Sequence, residues 1–259
     1  MRLSKTFSGV VATGTNRLFG KPLWDLGSLG NRGATNVAAH NPNGNEPSPL
    51  TPDMPGSTVL ATYVDPANLA EMNMKPEQVD PSTINVPLRD VKVVADLAGH
   101  QRVALKGILQ VLNAPDPSQA QPSGPITLSD WRKAKGKATI KCNDSSSTVL
   151  LALRGLIPNR LYTAWGVFSG PMPIPIALGG APCVFVTNNR GSATFQRVLN
   201  FCPLHPTTGQ PQFLFIEILY HSDQQVYGLV PALPMAGLHI GAVVHTQLEF
   251  PVNVTRAKE

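Results

Sequence analysis

From residue 126 onward, apolar and polar positions alternate in short runs separated by turn residues. "KATIKC" (137–142) puts Ala138, Ile140 and Cys142 on one face, the two-residue period of a half-buried strand. "STVLLALR" (147–154) and the β-branched, aromatic "LYTAWGVF" (161–168) follow, joined by "GLIPNR" (155–160), a turn centred on Pro-Asn. "CVFVT" and "SATFQRVL" flank "NNRG" (188–191), which predicts a hairpin because Asn and Gly tolerate positive φ. "FLFIEILY" (213–220) is apolar enough for a central strand, and "AVVHTQLEF" (242–250) closes the set. Seven strands with turns at intervals of roughly eight to twelve residues predict an all-β antiparallel sandwich over residues 126–255.

Upstream, the alternation fades. Residues 1–60 are rich in Gly, Asn, Pro and Ser, and "AAHNPNGNEPSPLTPDMPGS" (38–57) has the composition of an extended arm. Such a segment buries too little apolar area to fold alone, so it is expected to lie against its own domain or a neighbour. Residues 61–125 read as a small irregular region. A short helix is expected over 65–73, capped by Asp65 with Pro66 in its first turn. Residues 88–113 fit a helix through Leu105, Ile108, Leu109 and Leu112, or strands through Val103, Leu105, Leu109 and Val111; strands are the preferred reading.

Composition supports this division. Only 14% of the 259 residues are charged, against roughly 25% in an average soluble domain. With 25 Pro and 22 Gly, a helical bundle is excluded and a loop-rich β fold favoured. The net charge of +5 is uneven: residues 125–259 carry eleven basic and six acidic groups, and much of the excess lies in "WRKAKGKATIK" (131–141). Aromatic residues do not interleave with these charges as they do in a nucleic-acid groove. The run therefore reads as a basic strand edge that discourages edge pairing, and no nucleic-acid partner is expected. No run of about 18 apolar residues provides a membrane helix. "MRLSKTFSGVVATG" is a poor secretory signal, although low charge and a sandwich would suit a periplasmic or extracellular setting.

Two sets of residues suggest chemistry. In "FCPLHPTTGQ" (201–210), Cys202, His205 and Gln210 resemble the metal loop of the blue-copper proteins. The resemblance implies a cupredoxin-like sandwich with copper held by Cys202 and His205, within an architecture shared with immunoglobulin domains. It covers about ten residues. That family takes a second His from an earlier strand, and no His occurs between His100 and His205. The three cysteines allow one disulfide. The predicted hairpin puts Cys183 too far from Cys202 for a bridge, which leaves Cys142–Cys202 or free buried thiols. The second set is His221, Asp223, His239 and His245, with Glu217 or Glu249. These could form an acid–base pair of a hydrolase, though no Gly-x-Ser-x-Gly elbow accompanies them. No Gly-rich phosphate loop is present, and no cofactor is expected.

Residues 161–189, 198–216 and 224–248 contain no Asp, Glu, Lys or Arg. They include the loops "SGPMPIPIALGGAP" and "GLVPALPMAGLHIG", and loops normally run over the surface. Exposing Met172, Ile174, Ile176, Leu229, Leu233, Met235 and Leu238 together would exceed the apolar patch a monomer tolerates, so the loops either fold back as a lid on the core or bury against another molecule, the preferred reading. Phe19 and Trp24 in the arm extend the same argument. The sequence thus predicts a non-catalytic structural subunit that docks on a protein partner, or on copies of itself, through its arm and proline-stiffened loops. The alternatives are the copper-type site and the hydrolase.

Overall fold

The computed structural model describes residues 3–12, 17–18, 21–22, 36–41, 50–51, 53–63, 92–94, 102–104, 124–169, 174–180, 183–205, 211–222, 226–227 and 244–253. The strands in chain order are β1 (Leu3–Ser8), β2 (Val10–Val11), β3 (Arg17–Leu18), β4 (Lys21–Pro22), β5 (Asn36–Ala39), β6 (Leu60–Tyr63), β7 (Lys92–Val94) and β8 (Arg102–Ala104). Helix α1 (Leu128–Arg132) precedes β9 (Lys135–Cys142), β10 (Ser147–Arg154), β11 (Leu161–Phe168), β12 (Ile174–Ala177), β13 (Val184–Val186), β14 (Ala193–Leu199), β15 (Phe213–His221), β16 (Val226–Tyr227) and β17 (Val244–Pro251).

Two antiparallel sheets make the sandwich. Sheet I has the order β1-β9-β10-β14, and sheet II the order β12-β11-β15-β17-β2, with β13 also paired to β11. Alternation explains sheet I directly. Phe7, Ala138, Ile140, Val149, Leu151, Leu153, Phe195 and Leu199 are buried, and the residues between them face outward. Opposite them in the core lie Tyr162, Ala164, Ile216, Ile218, Tyr220, Leu248 and Phe250 of sheet II. The central strands of sheet II are buried at successive positions, as along the whole of Phe213–His221. This is why "FLFIEILY" shows no polar alternation.

Three expectations need correction, and α1 and β12 were not foreseen; β12 falls within the segment read as the loop 169–182. The "NNRG" turn keeps its local chemistry: Asn188 Oδ1 accepts from Arg190 N and Ser192 N, each at 2.9 Å. Yet it joins strands of different sheets, because β13 pairs with β11 and β14 with β10. Phe185 stacks on Tyr162 at 5.6 Å and meets Phe195 at 5.6 Å, so the two strands face each other across the core. Gly191 is required at this corner, with φ +68 and a hypothetical Cβ only 2.0 Å from Leu156 O.

The basic run does not form a sheet edge. β9 lies between β1 and β10, and its lysines project from the outer face. The sandwich is also not confined to residues 126–255, because the start of the arm lies on it and adds strands to both sheets. β1 pairs with β9 from Leu3↔Cys142 to Ser8↔Lys137, and β2 pairs with β17. Val37, Ala39, Leu50 and Leu60 join the core as well. Few as they are, these apolar side chains complete a core that residues 126–255 leave open.

Finally, α1 was not foreseen. Its signal is the Thr127-x-x-Asp130 capping box, in which Thr127 Oγ1 accepts from Asp130 N at 3.2 Å and Asp130 Oδ2 accepts from Thr127 N at 3.1 Å. The helix expected at 65–73 lies outside the described residues. Within 88–113, β7 and β8 are strands, in a small sheet with β16.

Candidate functional site

The outer face of sheet I is the exposed face of the sandwich. Its cross-strand rows are Ser4–Lys141–Thr148–Val198, Thr6–Thr139–Leu150–Gln196, Ser8–Lys137–Ala152–Thr194 and Lys135–Arg154. It carries four cations and no carboxylate, separated by hydroxyls and one amide. Two of those hydroxyls, on Thr6 and Thr139, meet at 3.0 Å. Val198 is 62% exposed and Leu150 36%. Lys135 and Lys137 are two residues apart, which at strand rise is about 6.7 Å.

At one end of this face a groove of about 1060 Å³ opens, lined by Lys135, Lys137, Arg154, Thr194, Gln196 and Arg197 among others. It reaches round to the corner at Asn188 and Ser192. The Arg197 guanidinium lies 4.3 Å from the Phe195 ring centroid and donates to Gln196 O at 2.8 Å. Partial burial draws its pKa below the usual guanidinium value. It remains charged at any physiological pH.

Sheet II has a different character. The side of β11, β15 and β17 facing away from sheet I is also buried, and it holds a polar chain. Trp165 Nε1 donates to Thr163 Oγ1 at 2.6 Å, and that oxygen meets His221 Nε2 at 2.8 Å. Glu217 lies opposite Glu249 on the neighbouring strand, and the Thr246 hydroxyl donates to Glu217 Oε1. Burial raises the Glu217 carboxyl to about 8, against a smaller lowering by the Thr246 hydroxyl.

This shift has a measurable consequence. Folded Glu217 holds its proton up to about pH 8, whereas the unfolded chain releases it near 4.5. In that window the folded state binds more protons, so stability is complete below pH 4.5 and falls as pH rises. The loss is at most about 1.4 kcal/mol per pH unit. Urea unfolding from pH 5 to 8 is expected to show this slope in the wild type and a flatter line in Glu217→Gln. Equal slopes in the two proteins would assign the effect to other groups.

Of the histidines expected in a hydrolase, His221 and His245 are interior. His245 Nε2 meets Ser222 Oγ at 2.9 Å, a nucleophile–base distance. Both are buried, at 2% and 0% exposure, and the His245 ring packs against Tyr220 at 6.0 Å and Trp131 at 6.4 Å. Neither lines the groove. Asp223 and His239 lie outside the described residues.

The copper-type pair is also altered. Cys202 is bonded to Cys142, with Cα atoms 5.4 Å apart, and so presents no thiolate in this structure. His205 is exposed and donates its backbone N–H to Cys202 O at 3.2 Å; Gln210 lies outside the described residues. Among the described residues no group of three or more His, Cys, Asp or Glu could hold a metal ion. Cys183 is a buried free thiol that burial pushes up to about 12.

Of the apolar partner residues, Phe19, Trp24, Met172, Leu229, Leu233, Met235 and Leu238 lie outside the described residues. Ile174 opens β12, and Ile176 on the same strand is 51% exposed. No described helix is long and apolar enough to cross a membrane. The outer face of sheet I was the part that sequence reasoning missed. Its signal was present in the spacing of Lys135, Lys137 and Lys141. The placement of β9 inside the sheet, beside Arg154, was not. Compared with protein-family models, curated proteins and solved structures, the chain matches none of them.

Proposed function

We propose that this chain is a non-catalytic interaction subunit of a larger assembly, docking an acidic partner on the outer face of sheet I. One observation carries the reading: an exposed sheet face with four cations and, among the described residues, no carboxylate, on a sandwich whose other sheet has its central strands buried on both sides. Surface charge of one sign steers an oppositely charged partner. A twofold contact of this face with itself would set cation against cation, so the partner is a different molecule. Exposed Ile176 on β12 supports a second, apolar contact at the edge of sheet II. The Cys142–Cys202 bridge supports an oxidising setting such as a periplasm or cell surface.

The test is native size exclusion of the tagged full chain in an envelope extract of its source at low salt. The wild type is expected to elute well above its 27.7 kDa. The Lys135→Glu/Lys137→Glu/Arg154→Glu variant, with unchanged melting temperature, is expected at its own mass. A wild type that elutes as a monomer overturns the reading, as does a folded variant that stays in the complex.

A further inference from the structure

We infer that the groove at the end of sheet I binds a linear acidic glycan, through carboxylate or sulfate groups on its sugars. This deepens the docking reading and rests on it. Lys135 and Arg154 are direct cross-strand partners, both exposed, with Lys137 on the next outward position of β9. Like charges placed directly opposite one another destabilise a sheet. Among the described residues no carboxylate lines the groove to relieve them, and Arg197 adds a fourth cation. A sequence that keeps such a conflict on a well-formed sheet marks a functional site, and an anion seated between the cations resolves it.

The shape and the remaining lining select among polyanions. A concave groove of about 1060 Å³ suits a chain rather than a flat bilayer. Single-stranded nucleic acid is held by exposed aromatic platforms, but the outward positions of sheet I are Ser, Thr, Lys, Arg, Gln, Ala, Leu and Val. The two aromatic residues in the lining, Phe185 and Phe195, are buried. Acidic peptides anchor through large apolar or aromatic side chains in pockets, and the outward positions lining this groove are small, polar or cationic. Ser8, Thr194, Gln196 and Asn188 instead offer hydroxyls and amides between the charges, where sugar hydroxyls can donate and accept.

The experiment is calorimetric titration of the full chain at low salt with polygalacturonate and with dextran sulfate, which distinguish carboxylate from sulfate. Neutral dextran, single-stranded DNA, polyglutamate and phosphatidylglycerol vesicles serve as competing classes. The expected result is binding of one or both acidic glycans and not of neutral dextran. Lys137→Gln/Arg154→Gln should weaken it about tenfold and reduce its salt dependence, since fewer counterions are released. Arg132→Gln/Lys133→Gln, which removes equal charge from α1, should leave it unchanged. Because Arg154→Gln relieves repulsion, the site variant should melt no lower than the wild type, so lost binding is not lost folding. DNA, polyglutamate or vesicles bound as tightly as the glycans would overturn the inference, as would equal loss in both variants. If the glycans fail while the charge-dependent complex in extract persists, the docking reading stands without this partner.

Discussion

Trp131→Ala is expected to destabilise the fold by about 4 kcal/mol, the range for emptying a large aromatic site, with a further cost of about 1–3 kcal/mol for the carbonyl it abandons. Trp131 is 1% exposed, and its ring meets Tyr220 edge-on at 6.0 Å. Its Nε1 donates to Ala12 O at 2.9 Å, just past the point where the chain crosses from sheet I to sheet II. Its own carbonyl accepts from Gln247 Nε2 at 3.1 Å, while Gln247 Oε1 accepts from Tyr162 OH at 2.6 Å. The Tyr162 oxygen in turn accepts from Ile157 N at 2.9 Å. One residue therefore ties the helix to the N-terminal crossover and to sheet II. Trp131→Phe keeps most of the ring but loses the donor, and should cost about 1–2 kcal/mol. Urea midpoints measure both. In the Phe variant, amide exchange should accelerate first in β1 and β2. A Phe variant as stable as the wild type would mean that packing alone matters there, and one as unstable as the Ala variant that the indole N–H bond outweighs the ring.

Opening the disulfide is expected to have a comparable effect by a different route. Cys142 ends β9 and Cys202 follows β14, 60 residues later. Cross-linking a loop of that length restricts the unfolded chain by about 4 kcal/mol on the loop-entropy model. For a chain of this size that corresponds to a fall in melting temperature of roughly 10 °C. Because neighbouring contacts hold the same loop, the loss should appear in global stability rather than as local fraying. Ser147 Oγ donates to Phe201 O at 2.7 Å, Asn253 Nδ2 donates to Pro203 O at 2.8 Å, and the Phe201 ring meets Phe168 at 5.7 Å. Reduction of the wild type and the Cys142→Ser/Cys202→Ser variant should lower the melting temperature equally. In both, Cys183 should remain unreactive to thiol reagents until unfolding, because burial keeps it protonated. A reduced protein that melts unchanged would show that the bridge contributes nothing.

The sequence by itself determined β9, β10, β11, β13, β14, β15 and β17, because their side-chain periods are local, but not β12 or β16. Ala138, Ile140 and Cys142 against Lys137, Thr139 and Lys141 encode one wet and one dry face, and "STVLLALR" coincides with β10. It also determined where the chain turns: the Pro158-Asn159 turn is present, with Asn159 at φ 51°, and in "NNRG" the positive φ falls on Gly191. Tertiary structure alone decided which strands are neighbours. Pairing depends on side chains far apart in sequence, such as Phe185 on Tyr162 and Phe195, and these turned an apparent hairpin into a corner between sheets. The same holds for the arm, whose Leu3–Ser8 segment is short and mostly polar, yet pairs along β9 because that edge is open to it. The candidate site follows the same division. Three lysines at even spacing were legible, but only the pairing of β9 with β10 set Arg154 beside Lys135 and made a basic strand into a basic face.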